Sequence, residues 1–290
     1  MTDYTAMPYH PTSEKLVDIL CNKTQSEDRL FFRVMVAYYF TKAASMMRTN
    51  IMTLDRGLLP VNMYAINLAP SGFGKGHSTN IVEDQVINQF RHNFNEIVLP
   101  TMAEINIPVI AQQRALKKGS DFDKEIITTT NEYNDLGDLY FSFADATTPA
   151  IKEIRQKLLL ANGGALNLEI DEIGTNLGSV GEALVPYLEL FDIGKIKPKL
   201  TKNTSDNKRR EEIYGRTPAN FMGYGVPNRL MNGSKTEEDF YILLDTGYAR
   251  RCFFGYTRGR SKPGALTPQQ IYDRRTDTTT DTFLENLSDQ

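Results

Sequence analysis

Several features that identify whole classes of proteins are scarce in this sequence. Only two cysteines and three histidines occur among its 290 residues. Two cysteines exclude a disulfide scaffold and a cysteine-rich zinc site, and three histidines leave little for a histidine-based metal centre. The longest apolar run, Val34 to Phe40, is far shorter than the ~20 residues that a membrane span needs. Residues 1–9 carry no basic stretch followed by an apolar one, so we expect no signal peptide.

Glycine and proline are also too few for a collagen-like or low-complexity chain, at 20 and 13 residues. Hydrophobic residues make up 40% and charged residues 24%, as in ordinary soluble globular proteins. The length fits one large α/β domain, or one such domain with a smaller helical annex. We therefore expect a protein of a reducing, cytoplasmic compartment that has no membrane partner.

The formal net charge of −3 hides two basic segments. Residues 195–210 hold seven basic side chains and one acidic side chain, and residues 247–263 hold five basic and no acidic ones. The rest of the chain is therefore strongly acidic. Concentrated positive charge in an acidic protein predicts local contact with an anion.

The sequence pattern divides the chain into three parts. Residues 1–60 predict an N-terminal helical annex, in which one helix begins near Ser13. A second helix spans about 27–48 and is apolar nearly all round in its middle. Residues 61–262 alternate between apolar runs and helical patterns. Residues 263–290 are polar and rich in threonine, which predicts a flexible tail.

The middle part predicts an α/β fold with a mainly parallel sheet flanked by helices, because its strands and helices alternate. Apolar runs predict strands over 63–69, 139–144, 165–170, 219–224 and 252–256. Helical patterns cover 79–118, with a break near Pro100 or Pro108, then 148–160 and 182–191. Residues 119–137 predict a polar loop or hairpin, and residues 237–244 fit either a helix or a strand.

A glycine-rich turn follows the first of these strands and leads into a helix. The phosphate-binding pattern Gly-x4-Gly-Lys-Ser/Thr is matched at Gly74 and Lys75 and missed at Ala69 and Gly76. Backbone N–H groups over 72–76, with the positive end of the helix, would still form an anion nest. The residues predicted to bind ATP are Ser71, Gly72, Phe73, Gly74, Lys75, Gly76, His77 and Ser78. The alternative is a glycine-rich turn that opens a helix and binds nothing.

Glycine at the hydroxyl position leaves the Mg²⁺ ligand to be found elsewhere. We expect Ser78, or Thr79, to supply it directly or through water. The acidic partner of such a loop is predicted at the end of a neighbouring strand, where Asp171 would hold Mg²⁺ and Glu172 would act as the general base. The alternative is an exposed edge strand that ends in an acidic turn, which the polar residue Glu169 favours.

Two sets of basic residues are candidates for anion contacts. Arg250 and Arg251 precede an apolar strand, and we predict that one of them, preferably Arg251, stabilises phosphate charge. The alternative is a solvated pair that anchors the strand end. The loop at 195–210 is predicted to bind the nucleic-acid backbone, although such charge runs are often only solvated. Its basic residues are Lys195, Lys197, Lys199, Lys202, Lys208, Arg209 and Arg210.

Taken in order, these pieces resemble a P-loop ATPase family of phages and mobile elements, found in primase-helicase-type replication proteins. The resemblance covers roughly residues 30–258 and departs at Gly76 and at Val226, where the family tends to have a polar sensor. The matching pieces are Asn67 to Lys75, Asp145 to Ala150, Asn162 to Gly164 leading to Ile170 to Ile173, Leu188 to Asp192, and Gly247 to Arg251.

The resemblance implies a RecA-like or AAA-like core that hydrolyses ATP with Mg²⁺. Lys75, Asp171 and Glu172 carry over by motif position, and Arg250 and Arg251 carry over only as a pair. It further implies a motor on single-stranded DNA, a homo-oligomeric ring with a hexamer favoured, a primase or polymerase partner, and the host cytoplasm as location.

Two other functions remain open from the sequence. Ala69, Gly76 and Val226 favour a non-hydrolysing nucleotide-binding module such as a loader or scaffold. Glycine after the lysine also occurs in adenylate-kinase-type loops, which suggests a nucleoside monophosphate kinase with the arginines of 247–263 as its lid.

Overall fold

The computed structural model describes residues 8–26, 28–197, 213, 215–259, 267–276 and 278–289. Its strands are β1 (Asn50–Thr53), β2 (Gly57–Pro60), β3 (Tyr64–Leu68), β4 (Leu166–Ile170), β5 (Ala219–Gly225) and β6 (Cys252–Tyr256). β1 and β2 form an antiparallel hairpin, which the sequence did not predict. The other four strands form one sheet in the order β4-β5-β3-β6, and every pairing in it is parallel. The predicted α/β fold with a parallel sheet is confirmed.

The helices are α1 (Pro11–Thr24), α2 (Arg29–Met46), α3 (Lys75–Val82), α4 (Asn88–Asn93), α5 (Leu99–Lys118), α6 (Phe122–Asp135), α7 (Thr148–Ala161), α8 (Ile173–Ile193), α9 (Pro227–Leu230), α10 (Lys235–Leu243), α11 (Pro268–Thr276) and α12 (Thr279–Asp289). The pattern over 237–244, which fitted either element, is therefore helical. Across the described ranges, none of these helices has the length and apolarity required to cross a bilayer.

The sheet is covered by helices on both faces. α2 covers one face, where Asn67 donates to the backbone oxygen of Phe31 and Asn220 donates to the hydroxyl of Ser45. On the opposite face the ring of Tyr64 packs against Phe191 of α8. α2 and the sheet share one hydrophobic core, which explains why the middle of α2 is apolar nearly all round.

Because all four strands are parallel, their carboxyl ends meet at one edge of the sheet. We call this the carboxyl edge, and the opposite one the amino edge. The loop after β3, the acidic pair after β4 and the segment after β6 all leave the carboxyl edge. Loops at this edge are where ligands bind in open parallel sheets.

The long helical region after β3 has no break at its prolines. Backbone dihedrals stay helical from Lys75 to Lys118, with π-helical segments at Glu83–Ile87 and Phe94–Val98. Pro100 is the second residue of α5 and follows the π-helical segment Phe94–Val98, whose altered hydrogen-bond pattern accommodates a residue without an N–H. Pro108 is accommodated inside α5, so the predicted break is wrong.

The predicted loop at 119–137 is also wrong, because α6 occupies most of it. The side chain of Asp121 caps α6 by accepting from the N–H of Lys124 at 3.1 Å. The helix is held to α5 by polar contacts, since Arg114 donates to Thr129 and to Glu132. A helix that packs through polar side chains lacks the apolar periodicity that sequence patterns detect.

Two further expectations at the ends of the sheet region are corrected. The segment 139–144 forms a single bridge, between Phe143 and Leu168, instead of a strand. In the predicted flexible tail, α12 packs beside the helical region that follows β3, and Leu284 is only 1% exposed. Phe283 and Leu287 also pack against the core, so three apolar side chains in a polar stretch dock this helix, and hydropathy averaged over the tail does not reveal them.

Candidate functional site

The glycine-rich loop leaves β3 at the carboxyl edge in a conformation that requires its glycines. Gly72 has a φ of 76° and Gly74 a φ of 102°, in the left-handed region that side chains disfavour. A Cβ on Gly72 would meet no atom within 4 Å, so the backbone conformation rather than crowding demands glycine there. The turn delivers the chain directly into the first turn of α3.

The start of α3 leaves several backbone N–H groups without an acceptor. Its N-cap is Gly74, which provides no side-chain cap. The first hydrogen bond along the helix runs from the N–H of Ser78 to the oxygen of Gly74 at 2.9 Å, so the N–H groups of Lys75, Gly76 and His77 have no acceptor within the helix. These donors and the helix dipole favour a negative ligand at this end. Ser71, Gly76 and His77 are exposed beside them.

Phe73 anchors the loop instead of facing its mouth. Its side chain is 2% exposed, and its ring lies 5.0 Å from that of Phe31 and 5.7 Å from that of Phe32. The predicted role of Phe73 in the anion nest therefore stays a prediction for its backbone N–H and not for its ring. Its aromatic packing fixes the loop to α2.

The structure brings together the predicted lysine and the predicted acids. The Nζ of Lys75 lies 3.5 Å from the backbone oxygen of Asp171 and 3.5 Å from the Oε2 of Glu172. β5 lies between β3 and β4, so about 10 Å of sheet separates the two loops, and the lysine side chain spans it. Contacts this long bind the ammonium weakly, which leaves it available to a more strongly charged partner.

Glu172 is held in place from its other oxygen. Its Oε1 accepts from the N–H of Val226, which follows β5, at 3.2 Å. The side chain of Glu172 is 21% exposed, and Asp171 is exposed to solvent beside it. The apolar side chain at 226 therefore does not prevent this position from contacting the acid, because the contact is made by the backbone.

Ser78 is not presented to the loop as a metal ligand. Its side chain is fully buried, and its hydroxyl bonds to the backbone oxygens of Gly74 and Lys75, each at 2.9 Å. Among the described residues no group of three or more histidine, cysteine or acidic side chains forms a metal site. A Mg²⁺ ion here would depend on Asp171, on water and on the oxygens of its ligand.

The two arginines predicted to act on phosphate lie at the amino edge. They precede β6, whose first residue pairs with Tyr64 at the start of β3. The length of the strand, about 16 Å, thus separates them from the glycine-rich loop of the same chain. Arg251 is 10% exposed, donates to the oxygen of Gly247 and pairs with Asp192 at 3.4 Å. Arg251 is therefore a structural anchor, and Arg250 is the exposed member of the pair.

The predicted nucleic-acid-binding residues are described only in part. Lys195 and Lys197 are exposed just after α8, at the amino edge. Lys199, Lys202, Lys208, Arg209 and Arg210 lie outside the described residues.

A buried ion cluster behind the site was missed by the sequence analysis. Lys42 of α2 is 1% exposed, and its Nζ lies 2.6 Å from Glu169 of β4 and 3.5 Å from Glu83, which follows α3. Tyr38 and Tyr39 donate to the same two carboxylates at 2.9 and 3.0 Å. Burial raises the pKa of Glu169, and the Lys42 ammonium opposes that rise. The one available signal was Glu169 itself, a charged residue in a strand expected to be buried.

No family of known proteins, no curated protein and no solved structure matches this chain.

Proposed function

We propose that this chain binds ATP with Mg²⁺ at the carboxyl edge of its sheet and hydrolyses it while acting on single-stranded DNA. The observation that carries the proposal is the position of Lys75, whose ammonium lies between the glycine-rich loop and the carboxylate of Glu172. A donor-rich helix start, a lysine and a strand-end acid in one place are the parts that phosphoryl transfer to water needs.

Each part of the site has a separate task. The N–H groups at the start of α3 bind phosphate oxygens, and Lys75 moves from Glu172 to the terminal phosphates. Glu172, released from the lysine and still held by Val226, takes the proton of the attacking water. Asp171 would hold Mg²⁺ through water, and the ion would neutralise charge on the phosphate oxygens.

DNA contact is proposed at the opposite end of the molecule. α8 begins directly after Glu172 and ends two residues before Lys195, so its 21 residues place the basic end about 30 Å from the general base. One helix thus connects the two ends, and a shift of Glu172 on hydrolysis would move both of them. Of the described residues, Lys195 and Lys197 are the ones that we propose contact the DNA backbone.

The exposed position of Arg250 supports an oligomer. Arg250 is separated from the loop of its own chain by the length of β6, so it can reach a phosphate only in a neighbouring copy. Such a head-to-tail contact repeats around a ring when the rotation closes. The resemblance favours a hexamer with a primase or polymerase partner, and both are part of this proposal.

One observation favours a second candidate, a nucleotide-binding module that does not hydrolyse ATP. Gly76 stands where a hydroxyl would bind Mg²⁺, and the hydroxyl of Ser78 is turned into α3. A site without that ligand can bind a nucleotide without hydrolysing it, because the metal ion that would neutralise charge on the phosphate oxygens is held less firmly.

The first experiment measures ATP binding by calorimetry and steady-state hydrolysis, with and without a single-stranded oligonucleotide. Lys75→Ala should abolish ATP binding. Glu172→Gln should retain binding and lower kcat by at least about 100-fold, because only the base is lost. Failure of the wild type to bind ATP with Mg²⁺, or unchanged binding by Lys75→Ala, would refute the proposal.

A gain-of-function variant separates the two candidates. A Cβ on Gly76 would meet no atom within 4 Å, so Gly76→Ser introduces the hydroxyl without a clash. If the wild type is a hydrolase, the serine should change kcat little. If the wild type binds ATP without turnover and Gly76→Ser restores turnover, the non-hydrolysing module is the correct function.

The test of DNA binding uses a control variant that loses the same charge. Lys195→Ala with Lys197→Ala should weaken binding to a single-stranded oligonucleotide and reduce the salt dependence of that binding. Lys117→Ala with Lys124→Ala removes the same charge from exposed positions on α5 and α6 and should leave the affinity unchanged. Equal losses in both pairs would show only a general charge effect and would contradict a DNA site at the amino edge.

A further inference from the structure

The segment after β6 is fixed beside the glycine-rich loop. The N–H of Thr257 donates to the backbone oxygen of Leu68 at 3.0 Å, which extends the pairing with β3 by one residue. Thr257 is 1% exposed, and its hydroxyl accepts from the N–H of Gly259 at 3.2 Å. Gly259 has a φ of 116°, and a Cβ there would lie 3.5 Å from the side chain of Pro70. Residues 257–259 therefore run in contact with the start of the loop.

Two side chains project from this fixed segment into solvent. Tyr256, the last residue of β6, is 47% exposed. Arg258 is also exposed, and the buried Thr257 lies between the two along the chain. Over the described part of the chain, neither side chain has a hydrogen bond or an ion pair. An aromatic ring and a planar guanidinium thus stand free beside the loop.

Their side of the loop is opposite to the acids. β6 lies next to β3 on one side, about 5 Å away, while Glu172 lies beyond β5 on the other side, about 10 Å away. In the proposed function the terminal phosphate faces Glu172. The nucleoside end of the same ligand then leaves the loop toward Tyr256 and Arg258.

We propose that Tyr256 and Arg258 form the subsite for the base of the bound nucleoside triphosphate. A tyrosine ring and a guanidinium both stack on flat aromatic surfaces. Every base has such a surface, so the subsite favours a nucleotide over a bare triphosphate and discriminates weakly among bases. This inference rests on the proposed nucleotide site and assigns it two residues outside the glycine-rich loop.

The test compares ATP with inorganic tripolyphosphate, which occupies the loop without a base. Calorimetry with Mg²⁺ measures both affinities in the wild type, in Tyr256→Leu and in Arg258→Lys. Each substitution should weaken ATP about 10-fold, the loss expected for one base-stacking partner, and should change the tripolyphosphate affinity less than about twofold. Tyr256→Phe keeps the ring and should bind ATP as the wild type does.

Each outcome bears on a different part of the inference. An equal loss for both ligands would show that the side chains act on phosphate or on the loop, and would overturn the base subsite. Unchanged ATP binding in Tyr256→Leu and Arg258→Lys, with binding abolished in Lys75→Ala, would overturn the subsite alone. Absence of binding for both ligands in the wild type would overturn the proposed function and the subsite with it.

Discussion

Replacing Lys42 by methionine should strongly destabilise the fold. Methionine fills the same volume as lysine, so the change removes the charge and leaves the packing nearly intact. Glu169 then keeps only the hydrogen bond from Tyr38 at 2.9 Å, and Glu83 keeps the one from Tyr39 at 3.0 Å. Removing one partner of a buried pair costs about 3–5 kcal/mol, because the remaining charge is left without compensation.

Neutralising the partner instead, by Glu169→Gln, should lower the free energy of unfolding less, by about 1–2 kcal/mol. Lys42 still faces the carboxylate of Glu83 at 3.5 Å, and the glutamine oxygen can accept from the lysine and from Tyr38. The double variant Lys42→Met with Glu169→Gln should be more stable than Lys42→Met alone, because the stranded carboxylate is gone. The expected coupling energy is therefore about 2 kcal/mol.

Urea unfolding followed by far-ultraviolet circular dichroism measures these differences, since the chain contains no tryptophan for fluorescence. The pKa of Glu169 is raised in the folded protein, and loss of the Lys42 charge raises it further. The loss of unfolding free energy caused by Lys42→Met should therefore be largest at high pH. It should shrink as the pH falls toward 4.5, because Glu169 is protonated at a higher pH in the folded protein than in the unfolded chain. A cost below about 1 kcal/mol, or additive effects in the double variant, would refute this account of the cluster.

Three other substitutions test separate contacts by the same unfolding assay. Gly255→Ala should cost about 1–3 kcal/mol, because the new Cβ would overlap the amide of Asn67, and a neutral effect would contradict that close approach. Arg251→Ala should cost about 2 kcal/mol and Arg250→Ala less than about 0.5, so equal effects would argue against Arg251 as the anchor. The pKa of Glu14 is lowered to about 2, chiefly by hydrogen bonding to an arginine of α2. Glu14→Gln should therefore cost about 1 kcal/mol at pH 7, a difference lost as the pH falls from 4.5 toward 2 and contradicted if it persists there.

The parallel sheet was predictable because its strands are short apolar runs separated by helical patterns. β3, β4, β5 and β6 all appear where the apolar runs predict them, within one or two residues. The segment 139–144 has the same kind of pattern and forms only one bridge. An apolar run reports that a segment is buried, and whether it pairs along its length depends on a neighbour that the run does not specify.

The helices that were missed share a different cause. α6 and α12 are largely polar. α6 packs through the hydrogen bonds of Arg114, and α12 packs through a small apolar group around Leu284. The stability of such helices comes from what they dock against, since isolated helices of this length are marginal in water. No periodicity in their own residues records that partner.

The sequence by itself determined the chemistry at the carboxyl edge. A strand, a glycine turn and Lys75 are contiguous, so local rules suffice to place a lysine and free N–H groups at a helix start. Likewise, Asp171 and Glu172 follow β4 without interruption, and the end of a parallel strand must lie at that edge.

Only the tertiary structure decided which distant residues join this edge and which leave it. It placed Arg251 at the amino edge, turned Ser78 into α3, and brought Tyr256 and Arg258 beside the loop through the pairing of β6 with β3. The physical reason is that strand order is set by packing across the whole sheet and not by the residues next to each strand. The loop and the acids could therefore be predicted from neighbours along the chain, whereas neighbours across the sheet are known only from the structure.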